Sequence, residues 1–273
     1  MYKATAAEVS KLRNTTGAGM MDSKKALEEA EGDFEKAIEI LRKKGQKVAA
    51  KRADRDSVEG AVIAMVNGDH TKGVIVSLNC ETDFVAKNED FVALAKRLAE
   101  MGLESADKDA LLNTQIDGIT VGEKLSEQTG VIGEKIEIGN FQKIEAPFVN
   151  AYIHAGNKIG AVAALSSNVN GAEEVAKEVA MQVAAMNPIA LNEDQVDSAV
   201  IEKELEIAKD QLRQEGKPEN MVENIAKGKL NKFFKENTLV HQAFIKDGKT
   251  SVSDYVKSVN PDLEVVGFIR YSL

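Results

Sequence analysis

Three histidines, one cysteine and one Gly-Lys-Thr triplet are the residues that could carry metal, nucleophilic or phosphate chemistry in this chain. Their spacing argues against each use. His70, His154 and His241 stand far apart, without the short intervals of a metal-ligand set. A lone cysteine, Cys80, cannot build a thiolate zinc site, and at a strand end it reads as a small buried apolar residue. Gly248-Lys249-Thr250 ends like a phosphate-binding loop, but the glycine required five residues earlier is Ala243. The carboxylates are numerous and fall on charged helix faces. The expectation is a protein without a catalytic constellation, metal or cofactor, and so not an enzyme.

What remains is a stretch suited to non-covalent work. Asn79–Asn88 reads NCETDFVAKN, between the apolar run Gly73–Leu78 and an amphipathic stretch with Phe91, Leu94, Ala95, Leu98 and Met101 on one helical face. Loops of this kind are normally polar, yet Phe84 and Val85 follow Asp83 directly. Two readings stand side by side. Either Phe84 and Val85 begin the core above the helix with Asp83 as its cap, or the element is displayed to a partner.

The elements that must position this loop are legible from periodicity. Residues 1–55 predict three short helices: a Thr5–Glu8 capping box opens the first, the glycines at 17 and 19 break it, Met21–Ala30 forms the second, and Gly32-Asp33 precedes a third. That third helix is expected to end at Lys43-Lys44-Gly45, leaving Gln46–Ser57 as a charged linker or a fraying helix. From Val58 the pattern turns to strands. Gly60–Val66 and Gly73–Cys80 form a hairpin followed by a helix, and the order recurs with Asn150–Ala155, Ile159–Leu165 and the helix Ala172–Met186. The two copies differ at the joint, CETDFVAKN in one and SSNVNGAEE in the other, so the repeated architecture does not demand Asp-Phe-Val. Ile201, Leu205, Ala208 and Leu212, then a Gly216-Lys217-Pro218 break, predict an antiparallel helical hairpin over about 193–236. The fold class is therefore α+β. A three-helix domain (1–55) precedes a duplicated hairpin-plus-helix core, with subdomain N at 56–140 and subdomain C at 141–273 carrying the helical hairpin.

Composition narrows the partners. The net charge is −9, yet residues 1–55 hold 13 Lys/Arg against 9 Asp/Glu while the remainder holds 22 against 35. An acidic body releases no phosphate counterions, and with 5% aromatics and no Trp there is little to stack on bases, so no direct nucleic-acid contact is expected. The basic head suits an acidic protein surface. No apolar run approaches a membrane span, the start MYKATAAEVSKL has no apolar signal core, and a single cysteine fits a reducing compartment. The expectation is a cytoplasmic protein without membrane contact.

Two long, dense stretches resemble the elongation factor Ts family, nucleotide-exchange factors for the translation GTPase elongation factor Tu. Leu12–Leu27, LRNTTGAGMMDSKKAL, is similar to the family's N-terminal signature, and Leu78–Asn88, LNCETDFVAKN, to its core signature. Ala180–Pro188, Gly216–Glu236 and Phe268–Tyr271 look like further family segments. Ser77 stands where members commonly carry Glu and is expected to face strand neighbours. The resemblance implies that residues 1–55 form a ubiquitin-associated-like domain docking on the GTPase, with Arg13, Met20 and Met21 at contact positions; the competing reading of the residues is that one of the two methionines fills the small core. It implies that Thr82, Asp83, Phe84 and Val85 enter the GTPase domain and disturb its magnesium and phosphate site. The second unit resembles the part of the family that grips a more distant partner domain, and Tyr152, His154 and Gly156 fall in that segment; a satisfied structural histidine is the other reading of His154. The implied partner is elongation factor Tu, GDP-bound and nucleotide-free; the helical hairpin offers two readings, self-association or an internal seam along its Ile201–Leu212 stripe. The alternative is a non-exchange interaction module working through the N-terminal domain.

Overall fold

The computed structural model describes residues 2–273. Its N-terminal head is three helices, α1 (Ala6–Thr16), α2 (Met20–Glu29) and α3 (Phe34–Arg52). Thr5 and Glu8 form the reciprocal capping box, and Gly17 ends α1 at φ 71°, a left-handed conformation that favours glycine. Val9, Leu12, Ala26, Leu27, Ala30 and Ala37 make the head's small core.

α3 does not stop at Gly45. It runs to Arg52, so the expected linker is largely helix. The reason is tertiary. Gly45 is buried where α3 crosses α7 (Val121–Ile132), and a Cβ placed on Gly130 of α7 would lie 2.4 Å from the Gly45 Cα. Two glycines let the backbones touch, so Gly45 marks a crossing point rather than a terminus. Arg42 donates to Glu127 of α7 at 2.9 Å beside it.

The body is two three-stranded antiparallel sheets. The first has order β1 (Glu59–Val66), β2 (Lys72–Cys80) and β5 (Glu137–Glu145). Between β2 and β5 come α4 (Asp83–Ala86), α5 (Glu89–Glu104), α6 (Lys108–Asn113), the short pair β3 (Gln115–Ile116) and β4 (Ile119–Thr120), and α7. The second sheet has order β6 (Phe148–Ile153), β7 (Ile159–Leu165) and β8 (Val265–Ser272), with α8 (Ala172–Met186) after β7. Residue 140 thus lies inside β5, whose last residues stay in the first sheet.

The strand residues sort by alternation. Ala61, Ile63, Val74, Val76 and Leu78 face the helices of the first unit, and Ala161, Ala163 and Leu165 face α8. The residues between them, Val62, Ala64, Ile75, Val162 and Ala164, with Val149, meet in a third cluster between the sheets. Strands buried on both faces read as continuous apolar runs, which is why GVIVSL lacks polar alternation. Ser77 is fully buried and hydrogen-bonds the Asn79 side chain, so it faces strand neighbours as expected.

α9 (Ser198–Gln214) and α10 (Glu219–Asn237) form the helical hairpin, turning at Gly216 with φ 75°. They pack mainly on each other and project from the body. Leu205, Ala208 and Leu212 of the predicted stripe meet Val222, Ile225 and Ala226, so those three side chains are the seam of the hairpin itself. α11 (Val252–Val259) then leads into β8.

Two glycines on helices test the crossing. Gly228 of α10 has open space around its Cβ position, so Gly228→Ala should raise unfolding free energy by about 0.5–1 kcal/mol through helix propensity. Gly130→Ala should lower it by about 1–2 kcal/mol despite the same propensity gain, because α3 and α7 must separate. Urea unfolding of the two variants, with opposite signs expected, decides the point.

Candidate partner-docking site

Thr82–Val85 leave the end of β2 as a pinned, outward turn. Cys80 is buried, and its Sγ–H donates to the Thr82 carbonyl at 3.2 Å. Burial, then the charge of Glu134, pushes the Cys80 thiol up to about 12, so it carries no thiolate at neutral pH. Thr82 precedes α4 with an extended backbone, but its side chain caps nothing. Its hydroxyl donates to Glu134 Oε1 at 2.6 Å, while Glu134 Oε2 accepts the amides of Glu81 at 3.1 Å and Thr82 at 3.0 Å. Glu81 answers in kind: its Oε1 accepts the Lys135 amide at 2.7 Å and the Arg52 guanidinium at 2.7 Å. The last turn of the head's α3 is thereby tied to the residue before Thr82.

The turn itself is one helical loop. Asp83 accepts from Lys87 at 2.6 Å, and that contact holds its carboxyl below the usual range. Ala86 points inward and Val85 is half-buried against the first unit's core, but Phe84 is 85% exposed. The reading in which Phe84 starts the core is therefore wrong for Phe84 and partly right for Val85. Asp83 does not cap α5 either. Asn88 does, accepting from the amides of Asp90 at 2.9 Å and Phe91 at 3.2 Å, because a break at Lys87-Asn88 separates α4 from α5. Val58 is also exposed, and it precedes Glu59, the residue paired with Cys80.

On the head, Arg13 is exposed in the last turn of α1. Met20 and Met21 are both exposed, at 62% and 61%. The expectation that one fills the small core fails, because Ala18 takes the buried place in the glycine turn and α2 turns Ser23, Ala26 and Leu27 inward. This head meets the body near Thr82: a Cβ on Gly17 would be 3.7 Å from Val131, three residues before Glu134.

In the second unit the Tyr152 hydroxyl and His154 Nδ1 lie 3.1 Å apart, and His154 is exposed at the hairpin end rather than buried. Gly156 and Asn157 adopt φ 84° and 54°, so Gly156 shapes the turn. The Asn157 carbonyl accepts from Val62 of β1 at 2.8 Å, and Lys158 pairs with Glu59. The structure thus links this turn to the start of β1, beside the end of β2. Glu134, Glu81, Arg52 and Lys158 hold the backbone around the end of β2, and periodicity does not reveal them. The one local signal nearby is the Thr120–Glu123 capping box that starts α7.

Among the described residues, no group of three or more His, Cys, Asp or Glu is placed to hold a metal, and no helix is long and apolar enough to cross a membrane. An aromatic is held outside on a pinned turn, and a methionine pair stands outward on a separate head, so both units expose large apolar side chains to solvent.

The comparisons with known proteins supply the family. The profile described as Elongation factor TS matches residues 81–273. Elongation factor Ts of Christiangramia forsetii is 68% identical over 273 residues, covering all of both chains. Proteins of the same name from Flavobacterium psychrophilum and Porphyromonas gingivalis are 60% identical over 273 residues, again end to end, and 44% identical over 272 residues, 98% of each chain. The chain belongs to the elongation factor Ts family of translation elongation factors.

The Glu81 pairing has a pH signature. The Lys135 amide and then Arg52 hold the Glu81 carboxyl below its usual value. A depressed folded value contributes stability above the unfolded value of about 4.3 and loses it as pH falls through the lower folded one. Amide protection at Lys135, followed by hydrogen exchange, should persist at pH 5 and fall only below about pH 4.3. In Glu81→Gln the same protection should be weaker and flat across that window.

Proposed function

We propose that this chain is a guanine-nucleotide exchange factor for elongation factor Tu. In this reading Thr82–Val85 enter the GTPase domain, Phe84 wedges between partner side chains, and the supports of magnesium and the GDP phosphates move apart. The observation that carries the reading is the exposed Phe84 on a turn fixed at both ends.

The thermodynamics needs no reacting group on this chain. A factor that binds empty partner better than GDP-loaded partner weakens GDP binding by the same ratio. Each tenfold loss of GDP affinity needs about 1.4 kcal/mol of coupling. Moving Phe84 from water into the partner supplies roughly 1.5–3 kcal/mol, enough for one or two decades. The remainder comes from other contacts: Arg13, Met20 and Met21 on the head, and Tyr152, His154 and Gly156 at the second hairpin. Magnesium neutralises charge between the phosphates, so displacing its supports loosens the nucleotide. In the same reading the chain works in the cytoplasm, where a translation GTPase acts. Self-association through the helical hairpin would use its outer residues Val200, Ile207 and Met221, since Leu205, Ala208 and Leu212 are spent in the seam.

The exposed methionine pair also supports the plainer reading of an interaction module acting through residues 1–55 alone. Release of a fluorescent GDP analogue from elongation factor Tu separates the two. The unmodified protein should accelerate release, and Phe84→Ala should slow it by roughly tenfold or more. Phe84→Ala should leave unfolding free energy within about 0.5 kcal/mol, because the side chain is already in water. Full acceleration by the variant moves the mechanism away from Phe84. No acceleration by the unmodified protein leaves the interaction module.

A further inference from the structure

Glu134 follows Gly133 at the C-terminal end of α7 and lies 52 residues from Thr82 in sequence. Its carboxylate collects the Glu81 amide, the Thr82 amide and the Thr82 hydroxyl, the three donors immediately before Asp83. The second unit shows what the same joint does without a carboxylate. After β7, the Ser166 amide donates to the Glu264 carbonyl at 2.9 Å, and the Ser166 hydroxyl oxygen accepts the Glu264 amide at 3.0 Å. There the ladder between middle and third strands runs on, and the chain stays close to its neighbour. After β2 the corresponding links are side chains: Glu134 takes the amides of Glu81 and Thr82, and Glu81 takes the amide of Lys135. A glutamate reaches farther than a carbonyl. The two backbones separate, their amides stay satisfied, and the chain after β2 is free to turn outward into α4.

We infer that Glu134 is a positioning residue for nucleotide exchange: its carboxylate clamps the base of the turn so that Phe84 meets the partner in one orientation. The inference rests on the exchange reading and deepens it, since Glu134 acts through Thr82 and Phe84 rather than on the nucleotide. Hydrogen bonds to a carboxylate are shorter and stronger than neutral ones, which suits a fixed joint. A turn ordered in advance saves the cost of ordering it during exchange. Loss of the clamp leaves the docking surfaces in place and lowers the fraction of encounters in which Phe84 is aligned. The maximal exchange rate should then fall while the half-saturating concentration holds.

The test uses the full chain, GDP-loaded elongation factor Tu and two variants. Glu134→Ala removes all three acceptor contacts. Glu134→Gln keeps an oxygen for the two amides and an NH2 for the Thr82 hydroxyl oxygen. Glu134→Ala should lower the plateau rate of GDP release roughly tenfold with half-saturation within about twofold, and Glu134→Gln should recover most of the rate. A change confined to half-saturation, or a Gln variant as slow as Ala, overturns the positioning role. If Glu134→Ala fails to fold, hydrogen exchange of the unmodified protein decides: protected amides at Glu81 and Thr82 uphold the clamp, and rapid exchange there overturns it. Failure of the unmodified protein to accelerate release overturns the exchange reading and the positioning role with it. Normal acceleration by Glu134→Ala overturns the positioning role alone.

Discussion

The close approach of the two sheets is the constraint on which the rest of the molecule depends. A Cβ on Gly73 would lie 2.6 Å from Val162, and one on Gly160 would lie 3.0 Å from Val62, so each sheet offers the other a flat, side-chain-free spot. Helices cover the opposite faces. The central strands β2 and β7, enclosed in this way, have no free face on which to build a binding surface, so what they present comes from their ends and the loops that follow. The end of β2, the β6–β7 turn and the end of α7 are such places, and all three meet near the start of β1.

At the end of β2 the core above the first sheet is already filled. Phe91, Ala95, Leu98 and Leu103 of α5 are buried against β1 and β2, and Ala86 is all that α4 needs to add, with Val85 at the margin. Phe84 has nowhere to go but outward. Its exposure brings the fold no burial energy, and its direction is set from below by carboxylates rather than by packing. Packing would have fixed Phe84 and hidden it. Hydrogen bonds at Thr82 and a cap at Asn88 fix the backbone on both sides and leave the ring in solvent.

Much of this was legible in the sequence, for identifiable reasons. The head's helices are local, with a capping box and glycine turns, and the apolar runs of β1, β2 and β7 announce strands buried on both faces. The helix Ala172–Met186 was readable to the residue because Val175, Val179 and Val183 repeat cleanly and Asn187-Pro188 stops it. What failed were features decided by partners distant in sequence. Gly45 has the local signature of a helix end, and only the buried backbone contact with Gly130 carries α3 through it. In residues 105–136, α6 and the two-residue strands are too brief for periodicity, and a strong local signal is the Thr120–Glu123 capping box that opens α7. Phe84 and Val85 share a type but not a fate, and no spacing distinguishes an outward ring from an inward one on a single helical turn. Glu134 is invisible from its own neighbours, since all it holds lies about fifty residues earlier.

In the proposed function Phe84 would account for one or two decades of GDP affinity at most, so exchange that exceeds this would draw on docking elsewhere and deliver it to the same turn. Stiff links exist for that delivery. From the head, Gly17 rests near Val131, three residues before Glu134, and Arg52 reaches Glu81 directly. From the second unit, the turn after His154 holds Val62 through Asn157 and Glu59 through Lys158, and Glu59 pairs with Cys80. Each remote surface therefore ends within two residues of Thr82, on hydrogen bonds or a packed helix rather than a free linker. Such connections transmit a displacement without absorbing it, because packed elements repack in steps rather than deform smoothly. A head on a flexible tether would add affinity through local concentration and leave the turn's angle untouched. A head fused through Gly45 and Arg52 ties that angle to the head, so under the proposed function binding at the head and at the second hairpin would act on the orientation of Phe84.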